Sequence, residues 1–191
     1  MKKEIFLSFK PDFFRPILYG IKKYEYRKRF TSEPVIAYLY LSAPVQEVIG
    51  IMDLGEALRI QDVSKTTDDP KVLEVINSAI DSGDKLAIPI YSFTLFKKPV
   101  PLEKIKELYP DFFVPHSYIY LKNKPKLLNY LKSQEKFEKE FVHKHDGIYY
   151  DNFGVSCLMM EQTEEFKKLD KLFTKTEKND IIKSKYLLRR D

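Results

Sequence analysis

The stretch Gly20-Ile21-Lys22-Lys23-Tyr24-Glu25-Tyr26-Arg27-Lys28-Arg29 is where the chain changes its period. Before it, Phe13, Phe14, Ile17 and Leu18 recur at helical spacing and stop at Gly20, a residue that ends helices because it tolerates a left-handed backbone. Pro16 lies inside this pattern, so the spacing predicts a short helix that is either kinked or starts at Pro16 after a turn. After Gly20 the period is two. Tyr24 and Tyr26 face one side of a strand and Glu25, Arg27 and Arg29 the other, as expected with one face in a core and one wet. Lys22, in the turn between, has to fold back to reach Glu25 and Arg27.

Working outward, Glu4 to Phe9 reads as a strand that stops at Lys10-Pro11. Ile36 to Leu41 and Val48 to Leu54 read as neighbouring strands separated by Ser42-Ala43-Pro44. Pro70 opens a helix with apolar positions Val72, Leu73, Val75, Ile76 and Ile80, closed by Gly83. Leu86 to Phe96 is a long strand, Pro101 to Leu108 a short helix, and Ser117 to Leu121 another strand. Five or six strands with helices between them predict an α+β chain, a small mixed β-barrel with short helices.

Past Leu121 the character changes. Leu127, Tyr130, Leu131, Phe137 and Phe141 form a helical stripe, and Phe166 to Phe173 and Ile181 to Leu188 do the same. Ile148-Tyr149-Tyr150 and Val155 to Met160 flank Asp151-Asn152-Phe153-Gly154 in the manner of a hairpin. The expected organisation is therefore a barrel over residues 1–121 and a mostly helical C-terminal extension over residues 122–191. The apolar faces of that extension need a host, either the barrel or a partner.

Composition narrows the function. The 191 residues are 43% hydrophobic and 32% charged, the balance of a soluble globular protein. Cys157 stands alone and forms no internal disulfide, which points to a reducing, cytoplasmic setting. Glu4, Ser8 and Lys10 interrupt the N-terminal apolar run, so it reads as fold rather than leader. Val35 to Leu41, the longest apolar stretch, is far below the roughly 20 residues that span a bilayer. The net charge of +5 is segregated: +6 over residues 1–29, −5 over residues 30–121 and +4 over residues 122–191. A basic run at Lys22 to Arg29 is a footprint for a polyanion or a solvated strand. Phosphate-loop and dinucleotide motifs are absent, and His143-Lys144-His145-Asp146 lacks a distant third ligand. That segment reads as a polar loop ending the preceding helix at Gly147. No metal and no cofactor are expected. Cys157 reads as core; a catalytic thiol would need a basic neighbour to lower its pKa.

Gly20-x-Lys22-x-x-Glu25-x-Arg27, with Leu7-Ser8-Phe9-Lys10-Pro11 before it and Tyr40-Leu41-Ser42-Ala43-Pro44-Val45 and Gly50 after it, resembles the ASCH family of PUA-like β-barrels. Val114-Pro115-His116-Ser117-Tyr118 resembles a late segment of some members, and the resemblance covers about residues 3–121. It implies a barrel whose cleft is lined by the motif, in a family generally regarded as RNA-binding, with some members acting on acylated cytidine or on RNA. In the acylcytidine hydrolases a threonine stands where this chain has Glu25, and the motif lysine, here Lys22, acts with that hydroxyl and a further glutamate. This chain lacks the hydroxyl.

The residues carry a compatible chemistry of their own. Lys10, Lys22, Arg27 and Arg29 can hold phosphate, and Glu25 can accept from an exocyclic base amine. Ser8, Ser42 and Ser117 complete the candidate binding set. Tyr24 and Tyr26 read as core rather than as stacking platforms. The expected function is binding of RNA or of a nucleotide, modified bases included, without a membrane. One alternative is a metal-independent hydrolase of a modified nucleoside or of RNA using Lys22 and Glu25, either with a nucleophile such as Ser8 or Ser42 or as a ribonuclease that needs only the cation and the carboxylate. The other is an interaction protein working through its helical extension. A cleft left open, or one roofed by residues 122–191, bears on the choice.

Overall fold

A computed structural model describes residues 2–148 and 151–175. Its strands are β1 (Lys3–Phe9), β2 (Tyr24–Arg27), β3 (Val35–Leu41), β4 (Glu47–Leu54), β5 (Leu58–Arg59), β6 (Leu86–Pro101), β7 (Tyr118–Tyr120) and β8 (Lys136–Val142). The helices are α1 (Phe14–Leu18), α2 (Ile60–Val63), α3 (Pro70–Asp81), α4 (Leu102–Leu108), α5 (Pro125–Lys132), α6 (Cys157–Gln162) and α7 (Glu164–Lys175). The strands form one curled mixed sheet in the order β2-β6-β4-β3-β1-β7, with β5 and β8 also paired to β6. β1 and β3 run parallel, and the other pairs are antiparallel. The expected small mixed barrel with short helices is what the chain builds, as a half-barrel.

Period-two alternation fills both faces of this sheet. Ile5, Leu7 and Phe9 of β1, with Val35, Ala37, Leu39 and Leu41 of β3, pack with α1 in one cluster. Phe6, Tyr38 and Tyr40 point the other way, against Leu102 and Ile105 of α4 and Leu127 and Leu131 of α5. That is why Val35 to Leu41 reads as a continuous apolar run: neither face meets water. Gly50 sits against β6 at a register shift of the β4–β6 ladder, and a Cβ there would lie 2.2 Å from the Thr94 carbonyl oxygen.

The C-terminal extension shares all three apolar clusters. Leu127 and Leu131 belong to the α4/α5 face, Met160 and Phe166 to the α1 face, and Phe153 to a third cluster with Tyr24, Ile60 and Ile76. Leu169 packs beside Phe166, whereas Leu172 is more than half exposed. Asp170 of α7 accepts from the Arg15 guanidinium and, at 2.6 Å, from the Tyr19 hydroxyl, tying α7 to the end of α1.

Three local expectations differ from the structure. Residues 136–142 are a strand, not part of a helix, and pair with residues 92–96 of β6. Phe137 and Phe141 are four apart, a spacing that both periods satisfy, and the open edge of β6 decides between them. Val155 to Met160 is no hairpin arm: Ser156 caps α6 by accepting from the Met159 N–H at 3.3 Å. Tyr149, Tyr150 and Ile181 to Leu188 lie outside the described residues.

His143 follows a strand and is buried, where a polar loop after a helix is expected. Its Nε2 lies 3.0 Å from the Ile17 carbonyl, to which the neutral ring donates, while Nδ1 is buried and among the described residues has no hydrogen-bond partner. Burial disfavours the imidazolium and lowers the pKa to about 4. Because the unfolded chain binds this proton more readily, the stabilisation is present above the ordinary value of 6.5 and is lost as pH falls to about 4. The loss is about 3 kcal/mol. Thermal melts from pH 7 to pH 4 should show a steep acid decline that His143→Gln flattens; equal slopes in the two proteins would contradict this.

Candidate functional site

The site begins with the end of α1. Gly20 takes φ +75, its N–H donates to the Ile17 carbonyl (2.9 Å), and the Ile21 N–H donates to that of Pro16 (3.0 Å). These two bonds close the helix in a Schellman turn that needs a left-handed residue at Gly20. Among the described residues, its chain neighbours aside, no atom lies within 4 Å of where a Cβ would stand, so the requirement is conformational rather than steric. The Lys22 N–H also donates to the Pro16 carbonyl at 2.9 Å, which turns Lys22 back before β2 starts. Pro16 lies within the short helix α1 itself, after a 3-10 turn over Pro11–Phe13.

The three charged motif residues meet in one chain of contacts. Lys22 Nζ lies 3.0 Å from Glu25 Oε2, and Arg27 Nε lies 2.8 Å from Glu25 Oε1. Arg27 Nη2 donates to the Ser8 carbonyl at 2.9 Å, linking β2 to the end of β1. The Lys22 and Glu25 side chains are each 6% exposed, so the face expected to be wet is enclosed. Burial alone would lower the Lys22 pKa, but Glu25 and the Cys157 thiol hold it above the ordinary lysine value. The rings of Phe9, Phe13 and Tyr26 lie 5.3 to 5.8 Å from its ammonium and line the rest of its cage.

Cys157 is the residue that reasoning from sequence missed. Lys22 Nζ donates to its Sγ at 3.6 Å, so the N-terminus of α6 covers the lysine from above. The basic neighbour a reactive thiol would need is present, yet burial pushes the Cys157 pKa up despite Lys22. The Ser156 cap and the 135-residue separation from Lys22 gave no local sign of this contact.

In front of Glu25 opens a cleft of about 360 Å³ between β2 and the ends of β1 and β3. Ser8, Lys10, Glu25, Arg27 and Ser42 line it, with Phe9, Phe13 and His116. Five of the eight expected binding residues thus converge, and Lys22 forms their buried support. Arg29 does not join them: β2 ends at Arg27, and Arg29 is exposed beyond it. Ser117 is not in the lining; its carbonyl accepts from the Ser8 N–H at 2.8 Å. The Ser8 and Ser117 hydroxyl oxygens are buried and among the described residues have no hydrogen-bond partner. Tyr24 and Tyr26 pack edge-on against Phe153, the core role expected for them, and the Tyr26 hydroxyl accepts from the Gly154 N–H at 2.6 Å.

A crystal structure of a serine-to-alanine variant of the ASCH protein of Zymomonas mobilis superimposes with a TM-score of 0.50 at 20% identity. The match covers 68% of this chain and 96% of that one. The chain has an ASCH-type fold. The unsubstituted Zymomonas protein matches at 20% identity with a TM-score of 0.49, over 70% of this chain and 96% of its own. No family model and no curated protein matches the sequence. Around the ASCH-type barrel, Lys23 pairs with the fully buried Asp151 at 2.7 Å. Burial would raise that carboxyl's pKa, but the bonds from Lys23 and the Asp146 N–H hold it below the ordinary value. Asp84, beside the motif, is raised by burial and by Glu25. Among the described residues no three His, Cys, Asp or Glu side chains are grouped to hold a metal ion, and no helix is long and apolar enough to cross a membrane.

Proposed function

We propose that the cleft in front of Glu25 binds one nucleotide of an RNA, with the base toward Glu25 and the phosphate toward Lys10. The observation that supports this most is the convergence of Lys10, Arg27, Ser8 and Ser42 on one concave surface beside a buried carboxylate. A volume of about 360 Å³ is at the small end of ligand pockets, the size class of a nucleoside rather than a folded RNA. Glu25 has about four lone-pair positions, and its ion pairs with Lys22 and Arg27 engage at most two of them, Oε2 accepting no hydrogen bond among the described residues. The others remain for an exocyclic amine, as carboxylates accept from cytosine N4. The unpartnered Ser8 hydroxyl adds a donor that water or a ligand satisfies. Covering Lys22 with α6 supports a binding reading over hydrolysis, because the lysine is already committed to Glu25 and Cys157.

Calorimetric titration with the four nucleoside monophosphates and a short single-stranded RNA tests this. Binding should appear at 50 mM salt and weaken as salt rises, with a log-log slope of about −1.4 for two phosphate contacts on a single strand. Lys10→Ala should weaken all ligands alike, whereas Glu25→Gln should reorder the bases, since an amide donates as well as accepts. Absence of binding at low salt, or release of acid from an acylated cytidine, would defeat the binding reading; the second result would favour the hydrolase.

A further inference from the structure

A second concave site lies one strand beyond the cleft. Leu86 of β6 pairs with Arg27 of β2 on one side and with Arg59 of β5 on the other. Residues on one rung project to the same face, and strands lie about 4.8 Å apart, so Arg27 and Arg59 stand on one face about 10 Å apart. The backbone around that rung is tied down: the Lys85 N–H donates to the Arg27 carbonyl (3.4 Å), and the Ile60 N–H donates to the Lys85 carbonyl (3.1 Å).

Around the end of this ladder lies a cavity of about 400 Å³ lined by Lys28, Arg59, Gln61, Asp84 and Lys85. Three cations face one carboxylate. Among the described residues none of Lys28, Arg59 and Lys85 has a carboxylate within 4.0 Å, in contrast to Lys22, Lys23 and Arg27, which are all ion-paired. Three cations with Asp84 as the one carboxylate in the lining leave a net positive charge whose self-repulsion a bound anion relieves. Asp84 stands between this cavity and the motif, since it feels Glu25, Lys22 and Arg27 as well as Lys28. The surplus of cations, with the Gln61 amide as a neutral donor, suits a phosphate.

We infer that this cavity holds the phosphate adjacent to the nucleotide seated in the Glu25 cleft, so that the protein takes a strand of two or more nucleotides in preference to a free one. This rests on the nucleotide reading of the cleft. The two sites share one sheet face and are about two strand spacings apart, which a short single strand spans and a mononucleotide does not.

The test uses the full chain and three probes at 50 mM salt: cytidine 5′-monophosphate, a 5′-phosphorylated cytidine tetranucleotide and inorganic tripolyphosphate. Wild type should bind the tetranucleotide at least about tenfold tighter than the monophosphate. Arg59→Ala/Lys85→Ala, two exposed positions, should remove that gain and leave monophosphate affinity unchanged. A gain that survives the double substitution, or no gain in wild type, overturns the inference. So does tripolyphosphate matching the tetranucleotide with the same dependence on Arg59 and Lys85, since the site would then serve free polyphosphate. Failure of the cleft reading looks different: Glu25→Gln and Arg27→Ala would leave both nucleotide probes unaffected, while the tetranucleotide still depended on Arg59 and Lys85.

Discussion

A chain ending at Leu121 should not fold to a soluble, cooperative domain. It would lack Leu127, Leu131, Phe153, Met160 and Phe166, all buried in the complete chain. Burying a large apolar side chain is worth about 1.5 to 3 kcal/mol, so five of them amount to roughly 7 to 15 kcal/mol. That equals the entire stability of an ordinary domain, about 5 to 15 kcal/mol. The loss is spread over three clusters, so no part of the barrel is spared. Removing β8 also bares the edge of β6 over residues 92–96, an unpaired strand flanked by Phe93 and Phe96, which is a template for aggregation. Recovery in the soluble fraction, dye binding to exposed apolar surface and a thermal melt measure this. A soluble truncated chain with an unchanged melting temperature would show that the extension is dispensable to the barrel.

Replacing Glu25 by alanine should cost about 3 to 5 kcal/mol, the penalty for breaking a buried ion pair by removing one partner. Lys22 has its ammonium in a cage of three rings and a thiol, among the described residues with no other carboxylate in ion-pair contact, and Arg27 keeps the Ser8 carbonyl and the Phe9 ring but no carboxylate there. For a chain of this length that corresponds to a fall in melting temperature of roughly 6 to 20 °C. Glu25→Ala/Lys22→Met should recover part of the loss, because it removes the stranded charge together with its counterion. Glu25→Gln, which keeps an acceptor, should be milder and is the variant to carry into binding measurements. If Glu25→Ala melts like wild type, the cluster contributes nothing to stability. If Glu25→Gln lowers the melting temperature but leaves the affinity for every nucleotide unchanged, the cluster is structural and the proposed role in base reading fails.

What the sequence alone determined is local in the chain. Gly20, Lys22, Glu25 and Arg27 lie within eight residues, and a left-handed helix end followed by period-two alternation places them without help from elsewhere. The strands β1, β3, β4 and β6 were legible for the same reason, since their apolar alternation is strong. Tertiary structure decided the rest. It turned Phe137 and Phe141 into a strand, because an open edge of β6 offers hydrogen bonds that outweigh a weak helical preference. It made the motif's polar face a buried cage by laying Cys157 over Lys22. It also drew Arg59 and Lys85 out of the acid-rich stretch 30–121 and set them beside Lys28, reversing the local sign of charge. Such contacts depend on which strands pair and which helices dock, and that is settled by burial summed over the whole chain rather than by any short stretch of it.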